Sequence, residues 1–511
     1  MIHVDQGTLV DGQGKPIVLR GAVFPSVTSD VDLQLNASLS EEDYQRAAEM
    51  GFSLIRLDVE VGAFASTGIE SVFPWLDQQL AWAKAHDLSL LLALSWPDSG
   101  PARDCSSSAL WDSNESQELL VAAWRKIAGQ YAAESAIAGY DLVHEPNPSA
   151  ALDQWQALAA RLTSAVRELD REHLLIVEQA QLIACTAVNQ HPEDSLFLVD
   201  DSNVLYAFEA RGPQNFTTQS SHRSLVSDGG SYPDELQLGS IDWQRMTFEA
   251  SDFAVAPSLN SGETHWTSKK HYWSAINPAI VIAQVNLRSA QNSGTVYFDD
   301  LKVEELDPNF DVVRTVIDAD LEDAASWFLW QDPNYPATGA KGVSPEHERG
   351  KASITLSGTT SEANLSNDAP FVFPVRQDYT YRVTGWMKGE VVGASATSMI
   401  GLSLWSYDGD LPLRDPANLV AATQPFVDWG RAHQVPVFVS AFGTSVATFE
   451  PGKGGITWVS DMLDVLEQNR LSFCYDAYRG ADFGIYHAGA LNQPLVDLFG
   501  SRFAVPAANA R

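Results

Sequence analysis

The 511-residue chain has few cysteines, few basic residues and no long apolar run, and each absence excludes a class of protein. Its three cysteines, Cys105, Cys185 and Cys474, are too few and too irregularly spaced for a disulfide scaffold or a cysteine-rich zinc site. Because no run of about eighteen apolar residues occurs, no transmembrane helix is predicted. The opening residues MIHVDQG lack the basic and apolar regions of a secretory signal. A cytoplasmic location and secretion after removal of a signal both stay open.

Acidic residues outnumber basic ones by 66 to 32, which gives a formal net charge of -34. A charge of this sign opposes binding to nucleic acid or to anionic membranes, so neither is an expected partner. Hydrophobic residues make up 45% of the chain, which is enough for a large core and excludes general disorder.

Short apolar runs alternate with amphipathic stretches in the first part of the chain. Continuous apolarity over roughly four to eight residues is typical of strands that are buried on both faces of a parallel sheet. The six runs are Ile17–Phe24, Phe52–Asp58, Leu88–Ser95, Ile137–Val143, Leu174–Glu178 and Val204–Glu209. Two more follow late, Val435–Ala441 and Leu471–Asp476, with helical patterns at Pro425–His433 and Ile456–Gln468. Eight such units predict a (β/α)8 barrel of the TIM type, with functional residues at the carboxyl ends of its strands.

A different pattern interrupts the alternation between the sixth and seventh predicted strands. Here apolar residues recur with period two, as in Ile354 and Leu356 or in Ile400, Leu402 and Leu404. This period predicts an inserted antiparallel β-sandwich. The predicted domains are therefore a barrel from residues 1–213 and 416–511, and an insert from residues 214–415.

Four motifs at predicted strand ends resemble those of glycoside hydrolase family 5, a family of clan A. They are GKPIVLRG at residues 14–21, GFSLIRL at 51–57, YDLVHEP at 140–146 and PVFVSAFG at 436–443. The resemblance implies a barrel that hydrolyses O-glycosyl bonds. It also implies that Arg56 lies in the active site and that Glu145 is the acid/base.

The same resemblance shows where the chain departs from the family. Ala441 occupies the position of the nucleophilic glutamate, and a methyl group cannot attack an anomeric carbon. Ser95 replaces the third-strand histidine, His144 the asparagine before the acid/base, and Asp476 the eighth-strand tryptophan. Glu209 and Arg211 fall where the sixth-strand His-x-Tyr is expected. The first prediction is therefore a carbohydrate-binding pseudo-glycosidase.

Two other functions remain open. One is a divergent hydrolase of a β-glycan or glycolipid, in which Glu145 and either Glu209 or Asp476 form an inverting pair about 6.5–9.5 Å apart. The other is an interaction protein that keeps the barrel for stability. The acidic residues at the strand ends, Asp58, Glu145, Glu178, Glu209 and Asp476, could also hold a hard cation. The residues expected to bind substrate are Arg56, Ser95, Trp96, His144, Glu178, Arg211 and Tyr475.

The insert separately resembles jelly-roll carbohydrate-binding modules. Residues 297–301 are similar to a closing strand and residues 318–327 to an opening one, so the swapped order suggests a circular permutation. The resemblance implies an oligosaccharide, polysaccharide or glycolipid head group as partner. It implies a structural calcium at Asp299 and Asp300, and no other cofactor is expected. One or two of the tryptophans of the insert are predicted to be sugar platforms. These are Trp243, Trp266, Trp273, Trp327, Trp330, Trp386 and Trp405.

Overall fold

The computed structural model divides the chain into two compact units, Met1–Pro233 with Asp415–Arg511, and Asp234–Arg414. The residues that it describes are 1–25, 39–61, 64, 67–96, 109–180, 182–183, 186–187, 191–221, 229–233, 235–236, 241–252, 259, 263–325, 327–331, 339–367, 371–389, 393, 395–409, 411–480 and 482–503. Among these residues, no helix is both long enough and apolar enough to cross a membrane.

The first unit contains a closed barrel of eight parallel strands, which confirms the predicted fold. Barrel strands 1 to 8 are Arg20–Pro25, Leu54–Glu60, Ser89–Ser95, Ile137–His144, Leu174–Glu178, Val204–Ala210, Val437–Phe442 and Ser472–Tyr475. Strand 8 pairs with strand 1, and strand 6 pairs with strand 7 across the insertion. Each apolar run of the sequence therefore became a barrel strand, with its ends shifted by at most a few residues.

Helices and short elements surround the barrel strands. The helices are Glu41–Glu49, Phe73–Ala85, Ala109–Asp112, Asn114–Tyr131, Leu152–Arg167, Gln214–Thr217, Pro416–His433, Gly455–Gln468 and Gln493–Phe503. The 3-10 turns of this unit are Ile69–Ser71, Pro192–Ser195 and Val446–Phe449. Its short strand pairs are His3–Asp5 with Thr8–Val10, Leu182–Ile183 with Thr186–Ala187, and Tyr486–His487 with Ala490–Leu491.

Apolar side chains fill both faces of the barrel sheet, which is why its strands are apolar throughout. Leu54, Ile176 and Phe438 belong to one buried cluster. Trp155 and Trp458 belong to the larger cluster shared with the helices, and both are fully buried. Truncating such a tryptophan to alanine costs about 3–5 kcal/mol in comparable cores. The sheet is thus a rigid support for the side chains at its ends.

The helix predicted at Pro425–His433 begins nine residues earlier, at Pro416. The Asp415 side chain caps it by accepting the backbone N–H of Asn418 at 2.9 Å. Pro416 lies in the first turn, where its missing N–H costs nothing, and Pro425 is accommodated inside the helix. The helix is therefore present at the predicted residues, and it is longer than predicted because Pro425 lies inside it.

The first domain boundary also differs from the predicted 213/214. Residues 214–233 belong to the barrel unit, because Phe216 is buried in its core. Tyr232 donates its backbone N–H to the carbonyl oxygen of Lys453 at 2.9 Å and its hydroxyl to Asp461 at 2.8 Å. Residues 214–233 were predicted to belong to the insert because the apolar contacts of a loop produce no periodic pattern in the sequence.

The second unit is a large antiparallel β domain built on one long strand, Ile282–Leu306. Ile354, Leu356, Ile400 and Leu402 are fully buried in its core, which confirms the period-two prediction. Its other elements are strands Glu235–Leu236, Met246–Asp252, Thr267–Ser274, Val312–Ala319, Phe328–Gln331, Ala340–Ser344, Ser353–Ser366, Val372–Pro374, Thr380–Gly389, Thr397–Tyr407 and Leu413–Arg414, and the 3-10 turn Trp243–Arg245. The jelly-roll relationship and the circular permutation stay predictions.

Candidate active site

The carboxyl ends of barrel strands 2, 4, 5, 6 and 8 bring together most of the predicted site residues. Arg56 is the centre of the first group. It is fully buried, and its Nη2 lies 2.6 Å from Asp141 Oδ2, 2.9 Å from Glu178 Oε1 and 2.9 Å from His144 Nδ1. Burial opposes its charge, but the field of Asp141 and Glu178 raises the pKa of Arg56, so the guanidinium stays cationic.

Asp141 is a residue of the site that was not predicted from the sequence. Its carboxylate is fully buried on strand 4, and its contact with Arg56 fixes the orientation of the guanidinium. Burial first, and then repulsion from Glu178, raise the pKa of Asp141 above its ordinary value. Asp141 could have been predicted as a site residue because it is a single acidic residue inside an otherwise apolar strand, and a buried acidic residue needs a partner.

His144 is surrounded by carboxylates. Its Nε2 lies 3.7 Å from Asp58 Oδ2 and 3.9 Å from Glu145 Oε1, and its Nδ1 lies 3.4 Å from Glu178 Oε1. Burial and Arg56 oppose protonation of His144, but Asp58, Glu178 and Glu145 outweigh them and raise its pKa to about 10. Burial alone would raise the pKa of Glu178, whereas His144 and Arg56 lower it to about 2. At neutral pH this side of the site therefore holds an imidazolium beside the ionised carboxylate of Glu178.

Glu145 directly follows strand 4 and adopts a left-handed backbone conformation with φ of 48°. Its backbone N–H donates to Glu178 Oε2 at 2.8 Å, and its side chain is only 4% exposed. A non-glycine residue in this conformation is strained, and such strain persists only where the surroundings enforce it. Glu178 supplies that constraint, since it holds both Arg56 and the Glu145 backbone.

Glu209 lies on strand 6, next to Ala441 on strand 7. The two residues are directly paired in the sheet, after a register shift between Phe208 and Glu209. The Glu209 side chain is 6% exposed, and its Oε2 accepts from Arg211 Nε at 2.8 Å. Its Oε1 is buried and has no hydrogen-bond partner among the described residues. The position that lacks a reactive group is therefore flanked by a carboxylate from the neighbouring strand.

Glu209 and Glu145 lie close together. One carboxylate oxygen of each, together with one ring nitrogen of His144, form a set in which all atoms are within 4.8 Å of one another. Two of their oxygens therefore lie closer than the roughly 6.5–9.5 Å expected of an inverting pair, and this contact is nearer to the separation of about 5–5.5 Å between retaining carboxyl groups. The physical reason is the sheet itself, because strand 6 adjoins strand 7 and places Glu209 beside Ala441. This set is also the group of described residues with the spacing to hold a metal ion.

Arg211 links Glu209 to Asp476. Its Nη2 donates to Asp476 Oδ2 while its Nε donates to Glu209, and both carboxylates raise the pKa of Arg211 against the effect of burial. Asp476 is 16% exposed and paired in this way. It acts here as the outer partner of Arg211.

The predicted role of Tyr475 in substrate binding is wrong. Its side chain is fully buried and packs edge-to-face against Phe442 and Phe499. Successive side chains of a strand alternate between faces, and Tyr475 lies on the face that meets the C-terminal helix. Burial first, and then Asp476, raise the pKa of Tyr475.

Ser95 and Trp96 lie at the end of strand 3. Ser95 is half-buried and is the sheet partner of His144, and Trp96 packs against the barrel core. Stacking of Trp96 on a sugar stays a prediction.

Cys474 is fully buried, and burial raises the pKa of its thiol to about 12. Cys105 and Cys185 lie outside the described residues.

The predicted calcium ligands of the insert bind other groups. The carboxylate of buried Asp299 accepts the backbone N–H groups of Asp300 at 2.7 Å, Glu348 at 2.5 Å and Arg349 at 3.0 Å. The Arg349 guanidinium lies 2.7 Å from Asp300 and 2.7 Å from Asp318. A calcium ion at Asp299 and Asp300 stays a prediction.

Comparisons with known proteins address the family and the fold. The family model Cellulase (glycosyl hydrolase family 5) matches residues 10–331. Endoglucanase C of Acetivibrio thermocellus is 27% identical over 197 residues, which are 36% of this chain and 54% of that protein. Cellodextrinase A of Ruminococcus flavefaciens is 22% identical over 228 residues, 44% and 62% of the two chains. The chain thus spans about half the length of the first of these relatives.

Two solved structures of Thermotoga maritima Cel5A share the fold. The complex with cellobiose aligns with a TM-score of 0.50 at 12% identity, covering 94% of this chain and 97% of that one. The complex with mannotriose aligns with a TM-score of 0.50 at 11% identity and the same coverage.

Proposed function

The chain belongs to glycosyl hydrolase family 5, and from this premise we propose that it hydrolyses a neutral β-linked glycan with retention of configuration. In this proposal Glu145 is the acid/base and Glu209 is the nucleophile. The observation that carries it is the approach of the two carboxylates to within 4.8 Å at the carboxyl end of the barrel.

The reaction needs two steps. Glu209 attacks the anomeric carbon while Glu145 donates its proton to the leaving oxygen, which breaks the glycosidic bond and forms a glycosyl ester on Glu209. Glu145 then takes a proton from water, and the water oxygen displaces Glu209 from the anomeric carbon. Each displacement inverts the anomeric carbon, so the product keeps the configuration of the substrate.

Arg211 and Glu178 are positioning residues in this mechanism. Arg211 binds one oxygen of Glu209, and the other oxygen has no hydrogen-bond partner among the described residues and can attack. Glu178 fixes the backbone of Glu145. Holding the two reacting groups in one geometry removes the entropy cost of bringing them together.

The names of related proteins support the class of substrate. Endoglucanase C and Cellodextrinase A are named for glucan substrates, and the Cel5A structures contain cellobiose and mannotriose. We therefore propose a cello-oligosaccharide, a β-glucan or a β-mannan as the substrate of this chain.

A second candidate is binding without cleavage, the function of a pseudo-glycosidase. Ala441 favours it, because strand 7 supplies no carboxylate at the family's nucleophile position. The burial of Glu209 also favours it, since the side chain is only 6% exposed and the oxygen not bound to Arg211 is buried.

Product stereochemistry tests the proposal. Wild-type protein is incubated with an aryl β-cellobioside, and the first anomer released is followed by NMR before mutarotation. The expected product is the β-anomer, with turnover lost in both Glu145→Gln and Glu209→Gln. An α-anomer would assign the inverting pathway, and binding of cello- or manno-oligosaccharides without any turnover would establish the pseudo-glycosidase.

A further inference from the structure

A cavity of about 680 Å³ lies at the amino ends of the barrel strands, opposite the end that carries the candidate active site. Its wall includes Val437 and Ser472, the first residues of barrel strands 7 and 8, and Leu205 near the start of strand 6. Because the barrel strands are parallel, their amino ends lie together, whereas Glu145 and Glu209 lie at the carboxyl ends. Small-molecule sites typically have volumes of about 300–1,000 Å³, so the cavity is large enough for a ligand.

The floor of this cavity is apolar, and its side is closed by packed backbone. The floor consists of residues that are each at most 5% exposed, namely Leu9, Leu205, Val427 and Leu471. The hairpin formed by the strands His3–Asp5 and Thr8–Val10 closes one side. A Cβ at Gly7 in its turn would lie 2.5 Å from the carbonyl oxygen of Gln434, so the hairpin contacts the loop before strand 7. The cavity is therefore bounded by elements that are fixed against each other.

The charge at the cavity is opposite in sign to that of the chain. Among its described lining residues, the charged ones are two arginines, Arg431 and Arg470, and none is acidic. The Arg470 side chain is exposed and has no ion-pair partner in the described part of the chain. Arg431 Nη1 lies 3.2 Å from Asp428 Oδ1, but both side chains are more than 60% exposed, and such an exposed ion pair is weak. In a chain with 66 acidic and 32 basic residues, this cavity therefore offers two cations to a ligand.

We propose that this cavity binds a small organic anion with an apolar body, such as a medium-chain carboxylate. The apolar body packs on the floor, and each methylene group that leaves water favours binding about fourfold. The carboxylate accepts hydrogen bonds from Arg470 and Arg431, which are strengthened by the charges of both partners. The net charge of -34 repels anionic polymers and membranes, whereas a small anion inside the cavity responds mainly to charges within about 8 Å.

Isothermal titration calorimetry of the full-length chain with octanoate tests the site, and the expected result is one octanoate bound per chain. Two further ligands separate the contributions to binding. 1-Octanol keeps the apolar body without the charge, and acetate keeps the charge without the apolar body. Each should bind at least about tenfold more weakly than octanoate, because each loses one of the two interactions.

Substitution of the arginines locates the bound anion. Arg470→Gln should weaken octanoate binding on the order of tenfold, and Arg431→Gln should weaken it less, because Asp428 already shares the charge of Arg431. Both variants should bind 1-octanol as the wild type does. Arg171→Gln is the matched control, because Arg171 is also exposed and also precedes a barrel strand, Leu174–Glu178, but does not line the cavity. It should bind octanoate with wild-type affinity.

Several results would overturn the site. Equal octanoate affinities of Arg470→Gln and Arg171→Gln would do so, and so would equal wild-type affinities for octanoate and 1-octanol or the absence of octanoate binding. Loss of octanoate binding in Glu145→Gln would place the anion in the candidate active site and would also contradict the proposal. The site and the proposed hydrolysis can fail separately, because Arg470→Gln should leave the turnover of an aryl β-cellobioside unchanged and Glu145→Gln should keep octanoate binding.

Discussion

Two arginines at the carboxyl end of the barrel, Arg56 and Arg211, have different surroundings. Arg56 is enclosed with Asp141 and Glu178, and none of the three side chains is more than 3% exposed. Arg211 is paired with Glu209 and Asp476, whose side chains are 6% and 16% exposed. The first cluster is sealed and acts as a scaffold, whereas the second reaches solvent and can meet a substrate. Chemistry in this chain is therefore expected on the Arg211 side, opposite Glu145.

The largest expected effect is on turnover when either catalytic carboxylate is neutralised. Glu209→Gln and Glu145→Gln should each lower kcat on the order of 10⁴-fold, because one removes the attacking group and the other the proton donor. The measurement is the initial rate on an aryl β-cellobioside. Asp476→Asn is the matched control and should retain substantial activity. A greater loss in Asp476→Asn than in Glu209→Gln would break the assignment of the nucleophile.

Substitution of Arg56 should mainly lower stability, whereas substitution of Arg211 should mainly lower activity. Arg56→Met leaves Asp141 and Glu178 buried without their cation, and should lower the free energy of unfolding by about 3–5 kcal/mol. Arg211→Met should destabilise less, because its partners are closer to water, yet lower kcat about 100-fold by releasing Glu209. Urea unfolding and initial rates measure the two effects. Equal stability losses in both variants would contradict the distinction between sealed and open clusters.

The pH dependence of stability should report His144. Its folded-state pKa of about 10 is higher than the 6.5 of an unperturbed histidine, so protonation favours the folded state. This contribution is complete below pH 6.5 and is lost as the pH rises towards 10. In urea titrations, wild-type stability should fall across this interval more steeply than that of His144→Asn. Parallel curves for the two proteins would show that His144 is not held as an imidazolium.

The smallest expected effect is that of a glutamate at position 441, where the resemblance of residues 436–443 predicts the nucleophile of the family. Ala441 is buried and pairs in the sheet with Glu209, so a glutamate there would bring a third carboxylate into an occupied space. Ala441→Glu should therefore give no gain in kcat. Strong activation of Ala441→Glu, with Glu209→Gln then having little effect, would show that the strand 6 carboxylate had not taken over the role.

The barrel was predictable because a strand that is buried on both faces appears in the sequence as a continuous run of apolar residues, as in Leu174–Glu178. The motif around Glu145 also predicted a residue of the site, since the structure places Glu145 beside His144 and Glu209. The separation of Glu145 and Glu209 was not predictable, since it depends on the register between strands 6 and 7 and on the shift after Phe208. The orientation of Tyr475 towards the C-terminal helix was not predicted either, because the sequence at a strand end does not show which face of the sheet a side chain lies on.

The most direct test of the central claim is to trap the glycosyl ester. The protein is incubated with a 2-deoxy-2-fluoro-β-cellobioside that carries an activated leaving group, which slows the second displacement, and the labelled peptide is identified by mass spectrometry. The expected result is one fluorocellobiosyl group per chain, attached to Glu209, and no label in Glu209→Gln. A label on another carboxylate, or turnover of the parent glycoside with no label at all, would contradict it.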